Sequence, residues 1–200
     1  VKERLEAVDK IKIIACGTSY YSGLIGEYLI EELAGLPVEV DLASEFRYRK
    51  PAMGGNEACL FIYQSGETAD SLGALREVKR KGALTLGIVN VVGSSLARET
   101  DAGIYNHAGP EIGVASTKAF TSQVSILALL ALFLGRKRGL SLQEGKEIVD
   151  GITALPEAVG RVLGTAPEIE RLAERYKDRP NMIFMGRRYN YPVALEGALK

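Results

Sequence analysis

The sequence predicts a doubly wound α/β domain, in which helices cover both faces of a parallel sheet. Short β-branched or apolar runs recur along the chain, at residues 11–15, 38–42, 58–63, 84–89 and 103–106. Most of the segments between these runs carry apolar residues at helical spacing. Parallel neighbours need crossover connections, which are usually helices, so this alternation favours a five-stranded parallel sheet.

The crossover helices are indicated by their periodicity and by their end signals. Residues 20–34 carry leucine, isoleucine and tyrosine at helical spacing, and Gly35 and Pro37 would end this helix before the second strand. Residues 69–80 repeat the same plan between the third and fourth strands. Both segments are therefore predicted to be helices that pack against the sheet.

The second half of the chain has a helical pattern. Beyond Thr117 it continues through residues 141–164 and 166–177, with Pro156 and Pro167 as expected interruptions. This region is predicted to be a helical connector.

A strand-like run returns near the end of the chain, at residues 181–185, and a helix is expected from about Pro192 to the last residue. One strand and one helix cannot bury both faces of a sheet. The last segment is therefore expected to be the beginning of a second, truncated α/β unit.

Composition and charge argue against several classes of function. Lys plus Arg and Asp plus Glu each number 25, so no overall positive field would attract nucleic acid. Cys16 and Cys59 are the two cysteines and have no partners at metal-ligand spacing, which suits a reducing compartment and predicts no metal site. His107 is the sole histidine and is expected to be solvated in a loop.

Membrane insertion and secretion are not expected either. The apolar run at residues 124–134 is too short to span a bilayer and is followed by basic residues, as in a buried helix. Residues 1–10 alternate charged and apolar side chains, which is unlike a secretory signal. The expected location is the cytoplasm, without a membrane partner.

The expected chemistry lies at the carboxyl ends of the strands, where ligands bind in open parallel sheets. The loop after the first strand reads ACGTSYYS, in which Gly17 allows the backbone to approach a ligand. Thr18, Ser19 and Ser22 add hydroxyl groups. This loop is a weak signal by itself.

The loop after the third strand reads QSGETADS and leads directly into a helix. Free amides and the positive end of the helix dipole would favour a phosphate there, with hydrogen bonds from Gln64, Ser65 and Thr68. Glu67 and Asp70 would have to point away from it. The alternative is that Ser65 or Thr68 merely caps the helix, and these residues alone do not decide between the two.

Nucleotide cofactors are not expected, because no Gly-Lys-Ser/Thr follows this loop and no GxGxxG occurs. A third segment, EIGVASTKAFTSQ, starts the long apolar helix with Ser116, Thr117 and Lys118. These residues could simply cap that helix, and a Lys118 stem that covers the core is favoured over an ammonium group near the phosphate. Glu196 and Lys200, four residues apart, would ordinarily form a surface ion pair.

The three loops, together with SEFRYRK at residues 44–50 and YPVALEGALK at the end, resemble the glucosamine-6-phosphate synthase family. This family is also called glutamine:fructose-6-phosphate amidotransferase, and the similarity covers essentially the whole chain within its isomerase half. The resemblance implies a flavodoxin-like first sugar-isomerase (SIS) domain at residues 1–140. A helical linker at 141–178 and the start of a second SIS domain at 179–200 would follow.

The resemblance also implies site residues, carried over by position. The phosphate would be held by Ser19, Gln64, Ser65 and Thr68, and the hexose chain would be lined by Cys16, Gly17, Thr18, Val114 and Ser116. Lys200 matches a lysine of the family's active site. The family usually has a serine where this chain has Tyr63, so one phosphate hydroxyl is expected to be lost or supplied differently.

The reaction of the family makes glucosamine 6-phosphate from fructose 6-phosphate and glutamine, with a glutaminase domain, no cofactor and a homodimeric assembly. Its proton-transferring carboxylate, ring-opening histidine and imine-forming lysine would lie beyond Lys200. This chain is therefore expected to bind the sugar phosphate without turnover, and Glu196 is not assigned as the base. The alternatives are an SIS-domain sugar-phosphate sensor and a stand-alone sugar-phosphate isomerase.

Overall fold

A computed structural model describes residues 1–113 and 116–200 of the chain. It contains a five-stranded parallel sheet with the strand order β2-β1-β3-β4-β5. The strands are β1 (Lys10–Ala15), β2 (Val38–Leu42), β3 (Glu57–Tyr63), β4 (Leu84–Val89) and β5 (Ala102–Tyr105). Each strand agrees with its prediction to within one residue at both ends, and the doubly wound, flavodoxin-like α/β fold is confirmed.

The helices include every one predicted from periodicity and three that were not. They are α1 (Lys2–Glu6), α2 (Thr18–Ala34), α3 (Ala43–Tyr48), α4 (Ala69–Arg80), α5 (Ser95–Glu99), α6 (Lys118–Lys137), α7 (Leu142–Leu163), α8 (Ala166–Tyr176) and α9 (Asn190–Leu199). The unpredicted helices α1, α3 and α5 have five or six residues each. Elements of this length are too short to display a helical period.

Both faces of the sheet are buried, because helices cover each of them. Leu60 and Ile62 of β3 belong to one core cluster, together with residues of α2 and α6. Phe61 and Tyr63 of the same strand belong to a second cluster, together with residues of α3, α4 and α5. This double burial explains why the strands read as continuous apolar runs and not as an alternating pattern.

The helices α2 and α6 pack closely on one face of the sheet, and Gly26 allows the approach. A Cβ atom at Gly26 would lie 2.8 Å from a methyl group of Leu127. Helix α6 has 20 residues and is long and apolar enough to cross a membrane by these two criteria alone. The helix is longer than the apolar run at residues 124–134 from which it was predicted. Its residues Leu127 and Ala131 are buried in the core cluster, as expected for a helix that packs against the sheet.

The prolines of the helical region behave differently from each other. The prediction that Pro156 interrupts a helix is wrong, because α7 continues through it. The residue is exposed, so water can bind the backbone carbonyl that loses its N–H partner. Pro167 lies in the first turn of α8, where a helix needs no backbone N–H donor.

The apolar run at residues 181–185 forms neither helix nor strand. No strand among the described residues lies beside it to supply the ladder of hydrogen bonds, and Ile183 and Met185 are 85% and 86% exposed. Helix α9 then returns to the sheet domain and packs against α2. The Tyr189 hydroxyl donates to Glu32 at 2.6 Å, and Arg188 pairs with the same carboxylate.

Candidate functional site

The candidate site lies at the carboxyl ends of β1 and β3, where the chain reverses the direction in which it winds along the sheet. The connection from β1 leads to β2 on one side, whereas the connection from β3 leads to β4 on the other. Ala15 pairs with Ile62, so the loops that follow these two strands are neighbours. Such a switch point opens a crevice between the loops, and the helices α2 and α4 begin there.

The loop after β3 is held in place by Gly66 and the segment before α5. Gly66 has a φ of +71°, and a Cβ atom at this position would lie 2.4 Å from Ser94 Oγ. Its carbonyl accepts a hydrogen bond from the Leu96 N–H at 3.1 Å. Only glycine combines this backbone conformation with so close an approach.

The two acidic side chains of this loop are bonded away from the crevice, as the phosphate hypothesis requires. Glu67 Oε1 accepts the Ser95 N–H at 2.7 Å, and this backbone hydrogen bond lowers the pKa of the Glu67 carboxyl. Asp70 Oδ1 accepts a hydrogen bond from Arg47 at 2.9 Å. Both carboxylates therefore have partners outside the crevice.

The polar groups expected to bind phosphate are not used in capping. Thr68 is the N-cap of α4, but its side chain makes no capping hydrogen bond. Ser65 Oγ accepts only a long hydrogen bond, 3.4 Å, from the Glu67 N–H. Gln64 Oε1 is buried and has no hydrogen-bond partner within residues 1–113 and 116–200, and only the Nε2 end of this amide could donate to a phosphate. The arrangement favours an anion cradle over a simple helix cap.

The loop after β1 supplies the opposite side of the crevice. Gly17 is the N-cap of α2 with a φ of +55°, and no atom lies within 4 Å of a Cβ built there. A ligand can therefore approach its backbone. Cys16 is half-buried, and Thr18 is buried, with its hydroxyl donating to Glu196 Oε1 at 3.1 Å.

Ser19 and Ser22 are joined to α6 by Gln123, which sequence reasoning did not single out. Gln123 Nε2 donates to Ser19 Oγ at 3.0 Å, and the Ser22 hydroxyl lies 2.9 Å from Gln123 Oε1. All three side chains are buried. A glutamine on the buried face of an otherwise apolar helix was the available signal, because buried polar groups need partners.

Glu111 binds the backbone at the start of α6, and sequence reasoning did not assign this residue. Its carboxylate accepts the backbone N–H groups of Thr117 and Ala119, at 3.1 and 3.0 Å. The hydrogen bond from Ala119 is the main reason that the pKa of this carboxyl is lowered. Ser116 is half-buried, and Val114 lies outside the described residues.

Lys200 comes to this segment from the far end of the chain. Its Nζ donates to the carbonyl of Ser116 and lies 2.8 Å from Glu196 Oε1. Glu196 is only 6% exposed whereas Lys200 is exposed, so the expected surface ion pair joins a buried carboxylate to an exposed ammonium group. It is buried because α9 packs against α2, which brings Glu196 to Thr18.

Three other predicted positions lie apart from this arrangement. Tyr63 packs beneath α4, where burial raises the pKa of its phenol and its hydroxyl has no hydrogen-bond partner within the described ranges. Lys118 is exposed, so the expectation that its stem covers the core is wrong. Its place at the start of α6 leaves the side chain in solvent. His107 is exposed and lies against the ring of Tyr105.

The site offers hydroxyls, amides and one ammonium group, which are suited to a phosphate and to sugar hydroxyls. In the part of the chain that the structure describes, no group of three His, Cys, Asp or Glu residues could hold a metal ion. The predicted residues Cys16 to Ser19, Gln64, Ser65, Thr68, Ser116 and Lys200 all lie on the loops and helices around the crevice.

Comparison with known proteins identifies similar chains. A family model for the SIS domain matches residues 4–133. The glutamine–fructose-6-phosphate aminotransferase (isomerizing) of Chlorobaculum tepidum is 54% identical over 198 residues, which is 99% of this chain and 32% of that protein. The protein of the same name from Escherichia coli is 50% identical over 199 residues, again 99% of this chain and 33% of that protein.

A solved structure agrees with these matches. The C-terminal domain of glucosamine-fructose-6-phosphate aminotransferase from Francisella tularensis superimposes with a TM-score of 0.96 and 40% identity, over 99% of this chain and 56% of that one. The chain spans about a third of the length of the curated relatives it matches. The resemblance inferred from the loops is confirmed.

Proposed function

Because the chain belongs to the SIS domain family, we propose that it binds a sugar phosphate, with the phosphate in the loop of residues 64–68. The observation that carries this proposal is the hydrogen bonding of the polar side chains in and next to that loop. Glu67 of this loop and Asp70 just after it are hydrogen-bonded elsewhere, while the Thr68 hydroxyl makes no capping hydrogen bond. A dianion at the start of α4 would be stabilised by the backbone N–H groups and by the helix dipole.

The proposed ligand is fructose 6-phosphate, with glucosamine 6-phosphate as product. The names of the similar proteins support this choice. Ser19 would reach the phosphate from the other side of the crevice. Cys16, Gly17, Thr18 and Ser116 would lie along the hexose chain, and Val114 is proposed with them from the resemblance alone.

Lys200 is proposed as the positive group near the reacting carbons. The conversion moves a proton between C1 and C2 and develops negative charge on an enolic oxygen, which an ammonium group can stabilise. Glu196 holds this ammonium beside Ser116, so the lysine has a defined position. We assign no proton-transferring base among the residues of this chain and expect it to bind without turnover.

The wider proposal concerns the whole protein. We propose an isomerase region of a hexosamine-forming enzyme that obtains ammonia from a glutaminase domain. It would act as a homodimer in the cytoplasm. Residues 1–140 would form the first SIS domain, 141–178 the linker, and 179–200 the start of a second SIS domain.

Isothermal titration calorimetry on the chain tests the phosphate anchor. Fructose 6-phosphate should bind, fructose should bind much more weakly, and inorganic phosphate should compete with the sugar phosphate. Thr68→Val, which keeps the shape and removes the hydroxyl, should weaken binding about tenfold, because a hydrogen bond to a charged group is lost.

The matched control is Thr153→Val on α7, where the hydroxyl donates only to the Val149 carbonyl. This variant should keep the affinity of the parent chain. If a folded sample binds fructose and fructose 6-phosphate equally, or binds neither, the assignment of the phosphate site is wrong.

A further inference from the structure

We propose that Gln123 is a positioning residue, which orients the Ser19 hydroxyl so that it donates its proton to the bound phosphate. This inference rests on the proposed function, because it requires a phosphate between the loops after β1 and β3. Gln123 itself would not contact the ligand. It would act through Ser19, from the second turn of α6.

Gln123 belongs to a buried polar network that joins α6 to α2. Gln123 is 1% exposed, and its amide reaches two hydroxyls on the first turns of α2. Nε2 donates to Ser19 Oγ at 3.0 Å, while Oε1 lies 2.9 Å from Ser22 Oγ. A primary amide placed in the core is costly unless both of its ends have partners, and here each end lies within hydrogen-bond distance of a serine hydroxyl.

The Ser19 hydroxyl accepts a hydrogen bond from Gln123 and keeps its own proton for another partner. A serine hydroxyl has one proton to donate and two lone pairs that can accept. Gln123 occupies one lone pair, and Ser19 Oγ donates no hydrogen bond to any residue in the described part of the chain. The proton of Ser19 is therefore left for a ligand at the start of α2.

The Ser22 hydroxyl has two acceptors within hydrogen-bond distance, the Ser19 carbonyl at 2.8 Å and Gln123 Oε1 at 2.9 Å. These two acceptors share its one proton. With Oε1 toward Ser22, the Nε2 group of the amide points to Ser19. If the amide were turned round, Ser19 would spend its proton on Gln123 and present lone pairs to the phosphate. An anion next to those lone pairs would be repelled, so phosphate binding selects the first orientation.

Replacement by a carboxylate separates positioning from packing. Gln123→Glu keeps the shape, but an ionised carboxylate can only accept, so it would take the Ser19 proton and add a negative charge. At pH 8, the dissociation constant of fructose 6-phosphate should then be at least about tenfold higher for the variant than for the parent chain. Gln143→Glu, at an exposed position on α7, is the matched control for the added charge.

A pH titration provides a readout that a purely structural role would not change. In the Gln123→Glu variant, the introduced carboxyl can donate to Ser19 as the amide does once it is protonated. The ratio of the dissociation constants of variant and parent should therefore approach one as the pH falls from 8 to 5. Using the ratio at each pH removes the titration of the ligand phosphate itself. A ratio that does not change with pH overturns the proposal.

A double-mutant cycle with Ser19→Ala and Gln123→Met completes the test by calorimetry with fructose 6-phosphate. If Gln123 acts through Ser19, the double variant should bind no more weakly than Ser19→Ala alone. Additive losses would overturn the proposal while leaving the sugar-phosphate site in place. Failure of the parent chain to bind fructose 6-phosphate would overturn the proposed function, and the role of Gln123 with it.

Discussion

Single residues around the crevice show how the chain keeps negative charge away from the proposed phosphate site. Glu67 is hydrogen-bonded to the start of α5 and Asp70 to Arg47, although Glu67 lies within the loop that would bind the anion and Asp70 lies just after it. Glu111 is likewise occupied with backbone N–H groups at the start of α6. Each of these three carboxylates thus stabilises a loop or a helix end and has its hydrogen-bond partners there.

Glu111 makes a pH dependence predictable at this scale. Its pKa is lowered in the folded chain, chiefly by the Ala119 N–H, so its stabilising contribution is present above its ordinary pKa of 4.5 and is lost as the pH falls through the lowered value. At pH 7, Glu111→Gln should reduce the free energy of unfolding by about 1 kcal/mol, as for loss of a helix cap.

Urea denaturation between pH 7 and pH 3 measures this difference. The difference in the free energy of unfolding between the parent chain and Glu111→Gln should decrease as the pH falls, because the protonated glutamic acid no longer differs in charge from glutamine. Glu170→Gln on the exposed surface of α8 is the control and should change stability little at any pH. A gap that stays constant with pH would contradict the assigned role.

At the scale of elements, the site depends on how closely α2 and α6 pack. Gly26 removes the side chain that would collide with Leu127, and the same approach places Gln123 within hydrogen-bond distance of Ser19. Helix α9 adds a second constraint, since Glu196 bonds to Thr18 on α2. Two helices far from α2 in the sequence, α6 and α9, thus hold its first turn.

Leu127 tests the contribution of this helix pair. It is fully buried, so Leu127→Ala should lower the free energy of unfolding by about 2–5 kcal/mol through lost burial and the cavity left behind. Leu129→Ala on the same helix, where the side chain is 48% exposed, should cost much less. Equal losses in thermal or urea unfolding would show that α6 does not pack as described.

Over the whole molecule, stability is expected to be uneven. The central strands β1, β3 and β4 are bonded on both sides and buried on both faces. Residues 181–187, in contrast, form no helix or strand, and all of them are exposed. Regions with few buried contacts open at low free-energy cost, whereas core strands open only on global unfolding.

Amide hydrogen exchange followed by mass spectrometry should show this contrast. Peptides from β1, β3 and β4 should exchange slowest, and peptides covering residues 181–187 should exchange within the earliest time points. The connected helix α9 should be intermediate, because its bonds to Thr18 and Glu32 hold it against α2. Strong protection of residues 181–187 in the isolated chain would contradict the prediction.

Much of the architecture is predictable because it is encoded over short windows. The five strands follow from continuous apolar runs, and α2 and α4 follow from helical spacing with glycine and proline end signals. The short helices α1, α3 and α5 were missed because five or six residues carry too little periodicity. The prediction of a strand at residues 181–185 was wrong because strand formation needs a neighbouring strand as well as apolar residues.

The sequence by itself determined the class of fold, the two loops at the switch point and the residue types in them. Only the tertiary structure decided which of those side chains are hydrogen-bonded within the protein and which remain available to a ligand. Thr18 meets Glu196 across 178 residues, and Ser19 meets Gln123 across 104. No local pattern encodes such pairs, because they depend on how whole helices pack on the sheet. The physical state of each hydroxyl, as donor or acceptor, follows from that packing.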